Sequence, residues 1–225
     1  MAFSTCSHAQ FLKDLKKMVN PSSGNLTEEE AASGIKEALI KGTNKGVETV
    51  SKIGGYFDNP QIKIPFPPEA KEIEQKLRAI GMGDKVDEVV LTINRAAEDA
   101  ATEAKPIFIS AIKNLTLRDA LNIVRGENDA ATKYLKENTS QQLAAQFKPK
   151  IEVSLEKVDA TKYWDDVITT YNKIPFVKKM NPDLAEYVTE KAIEGLFVMI
   201  AKEEDKIRKD PAARTTELLR KVFGG

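Results

Sequence analysis

"DLAEYVTEKAIEGLFVMIAKEEDKIRK", residues 183–209, is the stretch whose reading decides the fold. Leu184, Val188, Ala192, Leu196, Met199 and Ile200 recur at helical spacing and share one face. Ile193, Phe197 and Val198 widen that stripe until it covers most of the girth. A helix apolar around most of its circumference is a central one, enclosed by others. Its richest part, "AIEGLFVMIA" (192–201), is interrupted by Glu194, flanked by charge and too short to span a membrane.

Working outward, nearly every other segment also reads as helix. Thr27 and Glu30 form a capping box at the head of "LTEEEAASGIKEALIKGTNKGVETVSKI", with Ile35, Ala38, Leu39, Val47 and Val50 at helical spacing. Gly42 and Gly46 weaken its middle by about 1 kcal/mol each relative to Ala, so a break or a close helix–helix contact is expected there. "PEAKEIEQKLRAI" opens on Pro68 and is closed by Gly81. "GDKVDEVVLTINRAAEDAATEA" starts with Asp84 as cap and carries a stripe of small residues, and Pro106 restarts or kinks it. Thr116 caps "LRDALNIV", Gly126 ends it, and "NDAATKYLKENTSQQLAAQF" makes one or two helices up to Pro149. "ATKYWDDVITTYNKI" is amphipathic, and Asp210-Pro211 opens the last helix, "AARTTELLRKVF".

Two segments resist this pattern. "YFDNPQIKIPFPPE" has prolines at 60, 65, 67 and 68, and "IPFVKKMNP" is bounded by prolines too. Lys-Ile-Pro-Phe stands in both neighbourhoods, at 63–66 and 173–176, without further alignment between them. The expected architecture is therefore all-α: a single multi-helix bundle over 26–225 with two Pro-rich extended links, leaving room for a short two-stranded contact between the links. Residues 10–25 read as an N-terminal helix and linker.

Composition narrows function by exclusion. The 34 basic and 34 acidic residues cancel, which argues against a nucleic-acid partner. The cluster Lys13, Lys16 and Lys17 reads as a solvated helix face. Cys6 and His8 are the only cysteine and histidine. Ser7-His8-Ala9 before Gln10 fits an export-signal cleavage site, so residues 1–9 read as a start followed by a signal remnant. Two other readings stand beside it: a lipoprotein acylated at Cys6, and a natural cytosolic N-terminus.

Several stretches resemble a bacterial family catalogued as domain of unknown function 4197: "GGYFDNP" (54–60), "NRAAE" (94–98), "AKPIF" (104–108), "DAAT" (129–132), "IPFV" (174–177), "GLFVMIA" (195–201) and "PAARTTELLRKVFG" (211–224). The similarity runs from about Leu26 to the C-terminus. The resemblance implies an exported bacterial protein, periplasmic or associated with the outer membrane, and no particular activity.

Without Cys6 and His8 the domain lacks thiol and imidazole, which removes Ser-His-Asp and Cys-His catalysis and Cys/His zinc sites. "GENDAAT" (126–132) lacks the later acids of a calcium loop and reads as one helix end followed by another helix start. Arg95 and Glu98 are spaced to pair, as are Glu204 and Arg208. No catalytic residue, metal or cofactor is expected. The first functional reading is an exported, non-catalytic helical protein that binds a lipid-like small ligand. Asn94, Arg95, Glu98, Glu194 and Phe197 are its candidate ligand-binding residues, Arg95 and Glu194 being taken as internal groups that address a polar headgroup. The second is a cell-envelope scaffold docking through Tyr56, Phe57 and Phe66. The third is a carboxylate-dependent hydrolase, which needs two acids facing one cleft. Intact-mass analysis of protein from its native cell is expected to place the mature N-terminus at Gln10. A lipidated Cys6 would point to anchoring, and an uncut start would overturn both.

Overall fold

A computed structural model describes residues 27–157, 164–165, 169, 172–173, 175–176, 179, 181, 183–214 and 216–223. Among them are eight α-helices: α1 (Glu28–Val50), α2 (Lys71–Ala79), α3 (Gly83–Ala100), α4 (Ala104–Lys113), α5 (Leu117–Arg125), α6 (Ala130–Glu156), α7 (Leu184–Lys209) and α8 (Glu217–Phe223). The described residues contain no strand, so the all-α expectation holds. The first link is built from turns between Ser51 and Ile62, and the contact expected between the links falls on second-link residues outside those described. Residues 1–26, most of the second link and most of "ATKYWDDVITTYNKI" lie outside the described residues.

α7 is the centre. Leu184, Ala185, Val188, Ala192, Ile193, Leu196, Phe197, Met199 and Ile200 are all buried on it, and only a narrow strip holding Glu194 and Val198 faces outward in that region. α1 and α6 cover two of its sides. α1 in turn supports α4, α5 and α8, while α6 is backed by α3, α4 and α5.

α1 begins at the expected capping box and runs unbroken through Gly42 and Gly46. Of the two expectations for those glycines, close contact is the one realised. A Cβ on Gly46 would stand 3.0 Å from Ile200 Cγ1 of α7. α5 likewise starts at a capping box, between Thr116 and Asp119.

α6 departs most from the sequence reading. It continues through Pro149 to Glu156 instead of ending there. Both Pro149 and Ala145, whose carbonyl loses its helical partner, are exposed, so the break in the hydrogen-bond ladder falls on the solvent side of the helix. Its deep residues Ala131, Leu135, Thr139, Leu143, Phe147, Ile151 and Leu155 recur every four positions. At 3.6 residues per turn each such step advances about 40°, so the buried stripe winds about 240° around the helix. α6 has no fixed apolar face because it meets α5, α7, α3 and α4 on different sides.

Smaller corrections concern helix ends. α3 begins at Gly83, with Asp84 inside its first turn rather than capping it. Pro106 follows a 3-10 turn, Ala101–Glu103, where Ala97, Ala100, Ala101 and Ala104 are fully buried and let the chain bend tightly into α4. Asp210-Pro211 starts another 3-10 turn, Pro211–Ala213, and α8 begins only at Glu217.

The glycines give a paired test. A Cβ at Gly195 would meet Tyr56 Cε1 at 2.7 Å and Ile62 Cβ at 3.1 Å, whereas at Gly42 the nearest atom, Ile207 Cδ1, is 3.6 Å away. Gly195→Ala is expected to destabilise by about 1–3 kcal/mol through overpacking. Gly42→Ala is expected to stabilise by up to about 1 kcal/mol from helix propensity. Urea denaturation midpoints of the two variants check both signs.

Candidate functional site

The polar interior is organised around α3 and α7. Asn94, on α3, is fully buried. Its Oδ1 accepts from the Ile64 N–H at 2.9 Å, and its Nδ2 donates to the Ile64 carbonyl at 2.7 Å and to the Val90 carbonyl at 2.7 Å. One side-chain amide thus does for Ile64 what a neighbouring strand would do. One helical turn on, Glu98 Oε1 accepts from the N–H groups of Tyr56 (3.1 Å) and Phe57 (3.2 Å), while Oε2 receives Arg95 Nη1 at 2.6 Å. The Tyr56 hydroxyl crosses to α7 and donates to the Ala192 carbonyl at 2.5 Å. Burial, reinforced by the charge of Glu98, pushes the Tyr56 phenol far above its ordinary value, so it stays protonated and available as that donor.

The link from Gly55 to Ile64 is therefore fastened to α3 and α7. Gly195 on α7 makes room for Tyr56 and Ile62. Phe57, half-buried, has the Lys63 ammonium 3.9 Å above its ring and the Arg95 guanidinium 5.9 Å away. Phe66, also half-buried, meets Trp164 edge-on with ring centres 5.5 Å apart. The docking surface expected from Tyr56, Phe57 and Phe66 is corrected accordingly: Tyr56 is wholly inside, and the other two rings are largely covered by their neighbours.

A second carboxylate works in the same way. Glu204 on α7 accepts from the N–H groups of Ala131 (3.1 Å) and Thr132 (2.8 Å) and from the Thr132 hydroxyl (2.7 Å). Arg208 closes the arrangement with Nε at 3.0 Å and Nη2 at 2.8 Å from Glu204 Oε1, and reaches the Ile123 carbonyl at 2.9 Å. Glu204 thereby caps α6 from another helix, placing negative charge at a positive helix end. Asp129, the local candidate in "GENDAAT", makes no capping bond with its side chain. The Glu204–Arg208 spacing was legible as a pair, but its partners 72 and 73 residues earlier carried no sequence signal.

The structure unites Asn94, Arg95 and Glu98 but leaves Glu194 apart from them. Its side chain is 57% exposed and pairs with Lys191 at 2.7 Å, so of the two expectations for it, an internal headgroup-binding carboxylate or an exposed helix-edge residue, the second is realised. The cause is its position on the one outward strip of α7. Phe197 is buried and packs edge-on against Phe108 at 5.9 Å. Two hollows are best formed among the described residues. One, of about 30 Å³, lies beside Glu204, Arg208, Ile35, Leu39 and Gly42, and has room for about one water. The other is an open cleft of about 150 Å³ between Gln61–Pro65 and the α7 residues Lys191, Glu194, Gly195 and Val198. No cluster of three metal-ligating side chains occurs among the described residues, and no described helix is long and apolar enough to cross a membrane.

A family model described as a protein of unknown function (DUF4197) matches residues 25–224. The chain belongs to this family. No curated protein and no solved structure matches it. In this DUF4197 chain three of the stretches that carry the resemblance meet in space, and a fourth is held by Glu204. "GGYFDNP" and "NRAAE" supply the two sides of the Glu98 fastening, "GLFVMIA" supplies its Gly195 seat, and "DAAT" supplies the N–H groups held by Glu204.

The two carboxylates differ in their surroundings, and that sets the cost of removing each. Arg208 is 12% exposed whereas Arg95 is 38% exposed. Glu204→Ala takes from the half-buried Arg208 its carboxylate and from the start of α6 its cap, and is expected to destabilise by about 3–5 kcal/mol. Glu98→Ala leaves two backbone donors without a partner but an arginine that can hydrate, and is expected to cost about 1–3 kcal/mol. Denaturation curves of the two variants check the order.

Proposed function

We propose that this DUF4197 chain is an exported, non-catalytic interaction module of the cell envelope, and that its docking element is the arm formed by α2 and the first half of α3. The observation that carries this reading is an arm tied to the core by few apolar side chains, Ile73 and Val89 among them, and ending in an exposed apolar turn. α2 buries none of its residues and packs mainly on α3. Arg78 pairs with Glu74 within α2 (3.0 Å) and bridges to Asp87 on α3 (2.7 Å). At the turn, around Gly81 with φ of 83°, Ile80 is 71% exposed and Met82 44% exposed. Apolar side chains gathered on a projecting turn mark a contact surface.

The buried polar groups favour this reading over chemistry. Asn94, Glu98, Glu204 and Arg208 are engaged with backbone groups of the fold, and neither hollow is lined by the two acids that the hydrolase reading needs. A lipid-like ligand held internally would call for a pocket of about 300 Å³ or more, well above either hollow.

A photo-crosslinking residue at position 80 or 82, introduced in living cells, is expected to give a discrete protein adduct. The same residue at Val153, exposed on α6, is expected to give none. An identical adduct from position 153, or none from the arm, would overturn the reading. Ile80→Glu and Met82→Glu are expected to abolish complex formation while changing stability by no more than about 0.5 kcal/mol.

A further inference from the structure

The tetrapeptide Lys-Ile-Pro-Phe occurs at 63–66 and at 173–176, and the two copies end in opposite situations. In the first, Ile64 is buried, its N–H and carbonyl are both taken by Asn94, and Phe66 rests against Trp164. In the second, Lys173 and Pro175 are exposed and Phe176 stands wholly in solvent, with a relative exposure of 107%. Phe176 is also the non-glycine residue with positive φ, 64°, among those described. Left-handed backbone is unfavourable for a side chain this bulky. The chain thus holds an aromatic ring outward, in a disfavoured conformation, where nothing in the described fold packs on it.

The charge around this ring is one-sided. Residues 167–182, bounded by Asp166 and Asp183, contain Lys173, Lys178 and Lys179 and neither Asp nor Glu, in a chain whose 34 bases and 34 acids balance overall. Lys173 and Lys179 are both exposed. We infer that the Pro175–Phe176 turn is a membrane-surface contact, with Phe176 entering the headgroup boundary of an anionic bilayer and Lys173 and Lys179 engaging its phosphates. An apolar ring flanked by lysines is the combination that partitions to such an interface, the ring gaining from the acyl boundary and the cations from the surface potential. A protein partner would need a patch of many residues, whereas a bilayer accepts a single projecting turn. The contact is independent of the α2–α3 arm in sequence and in chemistry, so each stands or fails alone.

The test is co-sedimentation of the full chain with vesicles of phosphatidylglycerol and phosphatidylcholine in equal parts, beside vesicles of phosphatidylcholine alone. Wild type is expected to bind the anionic vesicles and to release as salt is raised. Phe176→Ala and the double variant Lys173→Glu/Lys179→Glu are each expected to bind about tenfold more weakly or worse. Lys136→Glu, an exposed charge on α6, is expected to bind as wild type, and circular dichroism confirms that each variant is folded. Equal binding by Phe176→Ala and wild type, or no wild-type binding, overturns the inference. Concentration-dependent dimerisation that is lost in Phe176→Ala, without vesicle binding, overturns it in favour of docking on a second copy.

Discussion

α7 is apolar around most of its girth and has to be covered on nearly every side. α1 and α6 take two of those sides, and α1 comes close enough only because Gly46 has no side chain against Ile200. A further side is closed by the turn-rich link Gly55–Ile64, which lies against Gly195. Enclosing an irregular segment creates a second demand, since its backbone N–H and carbonyl groups leave water without a helix or sheet to receive them. Asn94 and Glu98 meet that demand for Ile64, Tyr56 and Phe57. The polar interior is thus a consequence of how the central helix is covered.

The buried charges are best understood in the same terms. A carboxylate taken out of water is costly unless it is paired and hydrogen-bonded. Glu98 and Glu204 each receive two backbone N–H groups and one arginine, so each is compensated by groups that themselves need partners. Both join segments far apart in the chain: Glu98 ties the link to α3, and Glu204 ties the start of α6 to the end of α7. Side chains that resemble the makings of a binding site in sequence act here as fasteners.

That reassignment moves the functional question to the surface. The two hollows offer little room and Asn94, Glu98, Glu204 and Arg208 are engaged with the fold, while the arm at Ile80 and Met82 and the turn at Phe176 present apolar side chains outward.

Much of the fold was legible before any coordinates, because helix periodicity and capping are local. The boxes at Thr27–Glu30 and Thr116–Asp119, the breadth of the apolar face of α7 and the Arg95–Glu98 pair all depend on residues within a few positions of one another. What lay beyond the sequence was long-range or directional. Continuation of α6 past Pro149 depends on which side of the helix meets water. Whether Glu194 is internal depends on which sector of α7 its neighbours leave uncovered. The partners of Glu204 lie in a helix start that no local spacing connects to it. The sequence by itself determined an all-α chain with a central apolar helix and two Pro-rich links; tertiary structure alone decided which polar residues are enclosed and what they hold, because burial is a property of neighbours that a one-dimensional pattern does not name.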